Sequence, residues 1–259
     1  MSTSSYTTKP FPVARQTVVD AGWLGARRHL IHALLELDVT PVRQQLRDHK
    51  TRTGESLSFT AYIVSRFARA IDQDRSVQSY RSWRNQLIIF DEVDVVTLIE
   101  TERGGVALPH IIRAANQRTF RQIHDEIRAV QARPQRSAQA SALTRIAPHL
   151  PAFVRRLGYP YLLASPQRFR RYAGTCVVTS VGMFGRGSGW GVAFLPMHTL
   201  GLTVGGIVEK PGVIDGRIEV REYLDLTITF DHDIVDGAPA ARFAQRLKDA
   251  IESSAALDL

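Results

Sequence analysis

The chain has 259 residues, 33 of them Lys or Arg against 25 Asp or Glu, a formal charge of +8. That length suits one large or two small domains, and 44% hydrophobic with 8% aromatic residues is enough for a packed core, which excludes wholesale disorder. A single cysteine, Cys176, excludes an internal disulfide, a cysteine-based zinc site and an iron–sulfur cluster, and fits a reducing compartment.

The start, Met1–Pro12, is polar and has no apolar signal core. Pro10 and Pro12 oppose helix, so residues 1–20 are expected to form an arm and 21–259 a single domain. Leu24–Leu37 has a helix-compatible apolar pattern, and Thr40–Arg52 predicts a second helix closed by Thr53 and Gly54. Ser56 or Ser58 caps a third, with Phe59, Tyr62, Ile63, Phe67, Ala70 and Ile71 on one face. Leu87–Glu100 reads as one or two strands and Val106–Ile112 as another. Thr119 opens an amphipathic helix, Pro134–Ala142 is a polar break, and Leu143–Leu157 predicts a helix ending at Gly158.

The last third changes character. Thr175–Val181, Gly191–Leu195, Leu202–Glu209 and Glu222–Phe230 read as strands, and in the last of these Leu224, Leu226, Ile228 and Phe230 alternate with polar residues as in a half-buried strand. An Asp-Gly turn then leads into a helix with Pro239 near its start. Strands alternating with helices and no linker favour one α/β domain.

No run approaches the ~18 apolar residues of a membrane span, so a cytoplasmic protein without a membrane partner is expected. Arginine is spread along the chain, and the one dense stretch, Arg168, Arg170 and Arg171, lacks basic–aromatic interleaving. The charge therefore predicts solvated surface, not nucleic-acid binding.

Few residue patterns point to chemistry. Gly185–Gly191 reads Gly-Arg-Gly-Ser-Gly-Trp-Gly, but no Gly-Lys-Ser/Thr follows and the next segment is not helical, so a hairpin loop fits better than a phosphate loop. His29 and His32, three apart on an expected helix, lack the His-Glu-x-x-His carboxylate, so no metal is expected. Cys176 among valines reads as a buried apolar residue. The sharpest pattern is Asp231-His232-Asp233-Ile234-Val235-Asp236-Gly237, an imidazole at the end of a strand. Taken bare it fits a capped turn with a solvent-facing histidine better than a catalytic site.

A wider resemblance changes that weighting. The segment Thr227–Phe243 closely resembles the signature of dihydrolipoyl acyltransferase catalytic domains of 2-oxoacid dehydrogenase complexes, which share a fold with chloramphenicol acetyltransferase and its His-x-x-x-Asp-Gly motif. Thr179–Gly185 resembles the family's [ST]-N-x-G-x-x-G segment, Gly205–Pro211 its glycine-turn-Glu-Lys stretch, and Gly105–Ile112 its G-L-V-V-P-V-I strand. Leu35–Thr40 and Leu57–Ala61 match earlier blocks in order, so the likeness runs over about residues 22–255.

The resemblance implies a chloramphenicol acetyltransferase-like α/β fold, a mixed sheet flanked by helices. It implies acyl transfer between coenzyme A and a dihydrolipoyl-like thiol or another acceptor, with acyl-CoA as substrate. His232 is then the general base that takes the acceptor's proton. Thr179 is the hydroxyl that stabilises the developing oxyanion, with Ser180 beside it at the family's Asn position. Asp236 braces the His loop through an ion pair to Arg27, and Gly237 completes the turn. The resemblance further implies a homotrimer, or a multiple of trimers, with His232 and Thr179 of one site on neighbouring chains. Asp233 stands where the dehydrogenase-complex members usually carry Arg. No Asp-Lys-Ala lipoyl attachment turn occurs in the sequence, so the acceptor is expected free or on a separate lipoyl- or acyl-carrier protein. The alternative is a catalytically inactive trimeric scaffold of the same fold.

Overall fold

The computed structural model describes residues 6–99, 108–133, 149–181 and 187–253. Its centre is a mixed six-stranded sheet in the order β1-β8-β7-β6-β4-β5. The strands are β1 (Leu30–Asp38), β4 (Val95–Ile99), β5 (Leu108–Ile112), β6 (Cys176–Ser180), β7 (Leu200–Ile214) and β8 (Arg217–Asp231). β6 runs parallel to β4 and β7, and the remaining pairings are antiparallel. β2 (Tyr80–Arg81) and β3 (Leu87–Ile88) form a separate two-stranded ribbon.

Seven helices lie among the described residues: α1 (Gln16–Gly25), α2 (Thr40–Thr53), α3 (Phe59–Asp72), α4 (Phe120–Ala132), α5 (Ala152–Leu163), α6 (Pro166–Ala173) and α7 (Gly237–Glu252). The boundaries follow from local chemistry. Gly54, in the left-handed region at φ 76°, closes α2. The Ser58 hydroxyl accepts from Ala61 N–H to start α3, and Thr119 with Gln122 forms a reciprocal capping box on α4. One face of the sheet, carrying Val178, Leu202, Leu226, Ile228 and Phe230, forms a single core with α3, α4 and α7. Phe243 of α7 meets Phe67 and Phe230 edge-on, at ring distances of 6.1 and 5.8 Å.

The expected helix over Leu24–Leu37 is absent. α1 ends at Gly25, and Leu30–Asp38 is an edge strand pairing β8 from Leu30↔Asp231 to Asp38↔Tyr223. Its apolar residues fit either period, and the long partner strand decides for pairing. α1 also crosses residue 20, where the arm was expected to end; the buried Asp20 accepts from Arg155 Nε at 2.5 Å and Arg156 Nε at 3.1 Å. α5 runs through Gly158 and Pro160 to Leu163 rather than ending at Gly158. The polar break at 134–142 and the first residues of that expected helix lie outside the described residues, as do residues 105–107 and 182–185 of the matched blocks.

From Leu224 onward β8 is buried on both faces rather than half-buried. Asp225, Thr227 and Thr229, on the face away from the helices, are at most 1% exposed. The cover is the segment 187–196, which pairs with no strand although Gly191–Leu195 was expected to be one. Of its large apolar residues only Leu195 is buried against the sheet, while Trp190, Val192 and Phe194 stay exposed. The Asp225 carboxylate, at Oδ2, accepts from Ser188 Oγ at 2.6 Å and from Gly189 N–H at 2.5 Å, and Trp190 Nε1 donates to Leu35 O at 3.0 Å. The glycine pair Gly205-Gly206, where the β7–β8 register shifts, explains the close approach. A Cβ on Gly206 would strike the carbonyl oxygen of Gly187, and one on Gly205 that of Gly189.

Candidate active site

His232 follows the last residue of β8 and is exposed, whereas the strand before it is buried on both faces from Leu224 to Asp231. Its backbone is held on both sides. His232 N–H donates to His29 O at 2.7 Å, which extends the β1–β8 ladder by one step. The chain then turns back on Asp231, whose carbonyl accepts from Ile234 and Val235 N–H at 3.0 Å each and whose Oδ1 accepts from Asp233 N–H at 3.2 Å.

Asp231 is itself fixed. Its N–H donates to Thr199 O at 2.8 Å, and its carboxylate pairs with Arg28 at 2.6 Å. Arg28 also donates to the carbonyls of Met197 and His198, each at 3.2 Å. His198 is buried under this network; its Nε2–H donates to Ala173 O at 2.7 Å, and burial pushes its pKa down to about 4.

The expected ion pair between Arg27 and Asp236 is not among those formed by the described residues. Arg27 lies over the Trp23 ring at 4.4 Å, while Asp236 is exposed and its side chain caps no N–H at the start of α7. The Arg28–Asp231 pair, one residue along from Arg27 and five before Asp236, does the bracing instead. Gly237 is the first residue of α7 rather than the second of a tight turn; its φ is not in the left-handed region, and a Cβ there would meet nothing within 4 Å.

Thr179 and Ser180 are adjacent on β6 and therefore face opposite ways. Thr179 is on the face away from the helices and lines a cleft of about 330 Å³ between the sheet and the segment 191–195; Ser180 does not line it. Cys176, farther down β6, is fully buried, and burial raises its pKa, as suits a structural thiol. His29 and His32 are on or beside β1, not on a helix, and their Nδ1 atoms bond Asp233 Oδ1 at 2.9 Å and Thr229 Oγ1 at 3.0 Å. No cluster of three metal-ligating side chains occurs among the described residues. No helix among them is long and apolar enough to cross a membrane.

Register measures the separation of His232 and Thr179. Thr179 is opposite Thr203 and Thr203 is opposite Thr227, five residues before His232. At ~3.3 Å per residue and ~4.8 Å per strand, the two are about 19 Å apart within one chain. They cannot touch one reacting atom from the same subunit.

The chain matches the family described as 2-oxoacid dehydrogenases acyltransferase (catalytic domain) over residues 30–143 and 166–259. The chain belongs to that family. Among its relatives is the lipoamide acyltransferase component of the branched-chain alpha-keto acid dehydrogenase complex of Bacillus subtilis, 25% identical over 85% of this chain and 46% of the relative. Another is the succinyltransferase component of the bovine mitochondrial 2-oxoglutarate dehydrogenase complex, 34% identical over 30% of this chain and 17% of the relative. The chain thus spans less than half the length of these curated relatives. A probable dihydrolipoamide acetyltransferase from Listeria monocytogenes shares the fold with a TM-score of 0.73 at 21% identity, covering 98% of this chain and all of that one. Chloramphenicol acetyltransferase shares it with a TM-score of 0.55 at 13% identity, over 95% of this chain and all of that one. The fold is the chloramphenicol acetyltransferase-like fold expected from the sequence.

The Arg28–Asp231–His198 network was missed by the sequence reading. Its one signal, an Asp immediately before the motif histidine and an Arg entering β1, is too common to single out without the register that joins them.

Proposed function

We propose that this protein is a CoA-dependent acyltransferase in which His232 deprotonates the acceptor and Thr179 of a neighbouring chain stabilises the oxyanion. The observation that carries this reading is an exposed imidazole held rigidly at the end of a buried strand, in a member of an acyltransferase catalytic-domain family. The acceptor thiol loses its proton to His232 and the thiolate attacks the acyl-CoA carbonyl. A hydroxyl aimed at the resulting oxyanion is worth on the order of 10²–10³ in rate. Collapse breaks the carbon–sulfur bond to CoA, and His232 returns the proton to the departing thiolate.

The separation of the two residues within a chain supports a site shared between subunits of a trimer or a multiple of trimers. A chain of the cubic core of a pyruvate dehydrogenase complex shares the fold with a TM-score of 0.69 at 19% identity over 98% of this chain, and a cube carries three-fold axes through its corners. The acceptor in this reading is dihydrolipoamide, free or on a separate carrier protein, and the buried thiol suits a cytoplasmic setting.

The test is a panel of acyl-CoA thioesters with detection of free CoA, run with and without dihydrolipoamide. Acceptor-dependent release that disappears in His232→Ala supports the proposal. No release from any thioester overturns it in favour of a catalytically inactive scaffold.

A further inference from the structure

The cleft beside Thr179 lies between the sheet and the segment 191–195. Segment 191–195 forms one wall and sits so close that a Cβ on Gly191 would come within 2.6 Å of Val181, and one on Gly201 within 2.8 Å of Leu195. Apolar side chains dominate the lining, Leu98, Val177, Val181, Val192, Phe194 and Leu195 among them, and no charged residue lines it among the described residues. Hydroxyls are the polar groups available: Thr179, Thr203 and Thr229, of which Thr229 is engaged by His32. At about 330 Å³ the cleft is at the small end of ligand-sized pockets.

We infer that the cleft receives the acyl chain and selects short, uncharged aliphatic groups over dicarboxylic ones. The inference rests on the acyltransferase reading and adds the substrate class. A carboxylate placed against these walls would lose part of its water without gaining a cation from this chain, whereas each added methylene gains contact up to the cleft's capacity. The His232 end has the same bias. Asp233 and Asp236 are both exposed on that turn, so an acidic acyl tail would meet negative charge there too. Of the arginines there, Arg28 is already paired with Asp231 and Arg27 lies over the Trp23 ring, while His29 bonds Asp233.

The test compares kcat/KM of the full chain for acetyl-, isobutyryl-, hexanoyl- and succinyl-CoA, with dihydrolipoamide as acceptor. Isobutyryl-CoA is expected to exceed succinyl-CoA by ~100-fold or more, within the range such pockets reach. Val192→Arg, at an exposed position on the rim, is expected to narrow that gap by raising turnover of succinyl-CoA. Phe194→Ala, which opens the cleft, is expected to raise hexanoyl-CoA relative to acetyl-CoA. Succinyl-CoA equal to or better than isobutyryl-CoA overturns the inference and leaves the acyltransferase reading standing. So does an aliphatic preference that neither variant alters. Turnover of none of the four defeats both readings together.

Discussion

At the scale of single residues, the proposed chemistry rests on two side chains and rigidity on their neighbours. His232→Ala should lower CoA release by about 10³-fold without moving the unfolding midpoint, because the exposed imidazole makes no core contact. Thr179→Val should cost about 10²–10³-fold, with Thr179→Ser recovering most of it. Asp231 acts through His232: its carboxylate is buried and paired with Arg28. Asp231→Asn should therefore cost about 3 kcal/mol in a denaturant titration and also lower kcat. The counterpart is Asp236→Asn. Since Asp236 has no ion-pair partner among the described residues, its stability should change by less than about 0.5 kcal/mol.

At the scale of elements, the segment 187–195 depends on a few contacts. It is held by Asp225 and by the glycine pair beneath it. Gly206→Ala should lift it, costing about 1–3 kcal/mol and raising amide exchange across 187–195 relative to β7 and β8. The same segment shows where sequence was readable and where it was not. α3, α4 and α7 were legible because each buries one apolar stripe at helical period against the sheet. The strand nature of Leu30–Asp38 was not, since edge pairing with β8 supplies the deciding hydrogen bonds. Gly191–Leu195 has the apolar alternation of a strand, yet the segment pairs with no strand: Leu195 is buried while Val192 and Phe194 stay exposed. For the site, the family blocks pointed to His232 and Thr179, and alternation along β6 then separates Thr179 from Ser180. Which arginine braces the histidine turn depends on a contact between residues some 200 apart in sequence, which no local pattern encodes.

For the whole molecule, buried titratable groups set the response to acid. His198 is neutral when folded because burial takes its pKa from 6.5 to about 4, and burial lowers that of His124 as well. The unfolded chain takes up these protons first, so stability falls as pH drops from about 6.5 toward 4, by about 3 kcal/mol from His198 alone. Asp20 titrates in a different window. The Arg155 guanidinium holds it below its ordinary 3.8, so its contribution is present above that pH and is lost only as pH falls through the lower folded value. Denaturant midpoints at pH 7 and 4.5 should show a clear drop for the wild type and a shallower one for His198→Gln.

In the proposed mechanism catalysis needs His232 of one chain and Thr179 of the next, and mixing two inactive variants tests this pairing. His232→Ala and Thr179→Val subunits, unfolded together in equal amounts and refolded as mixed trimers, rebuild a complete site wherever an intact His232 adjoins an intact Thr179. Random assembly around a ring predicts CoA release at about a quarter of the wild-type rate, from two preparations each inactive alone. Refolded mixtures as inactive as their parents, beside a wild-type control that regains activity, would contradict the shared site.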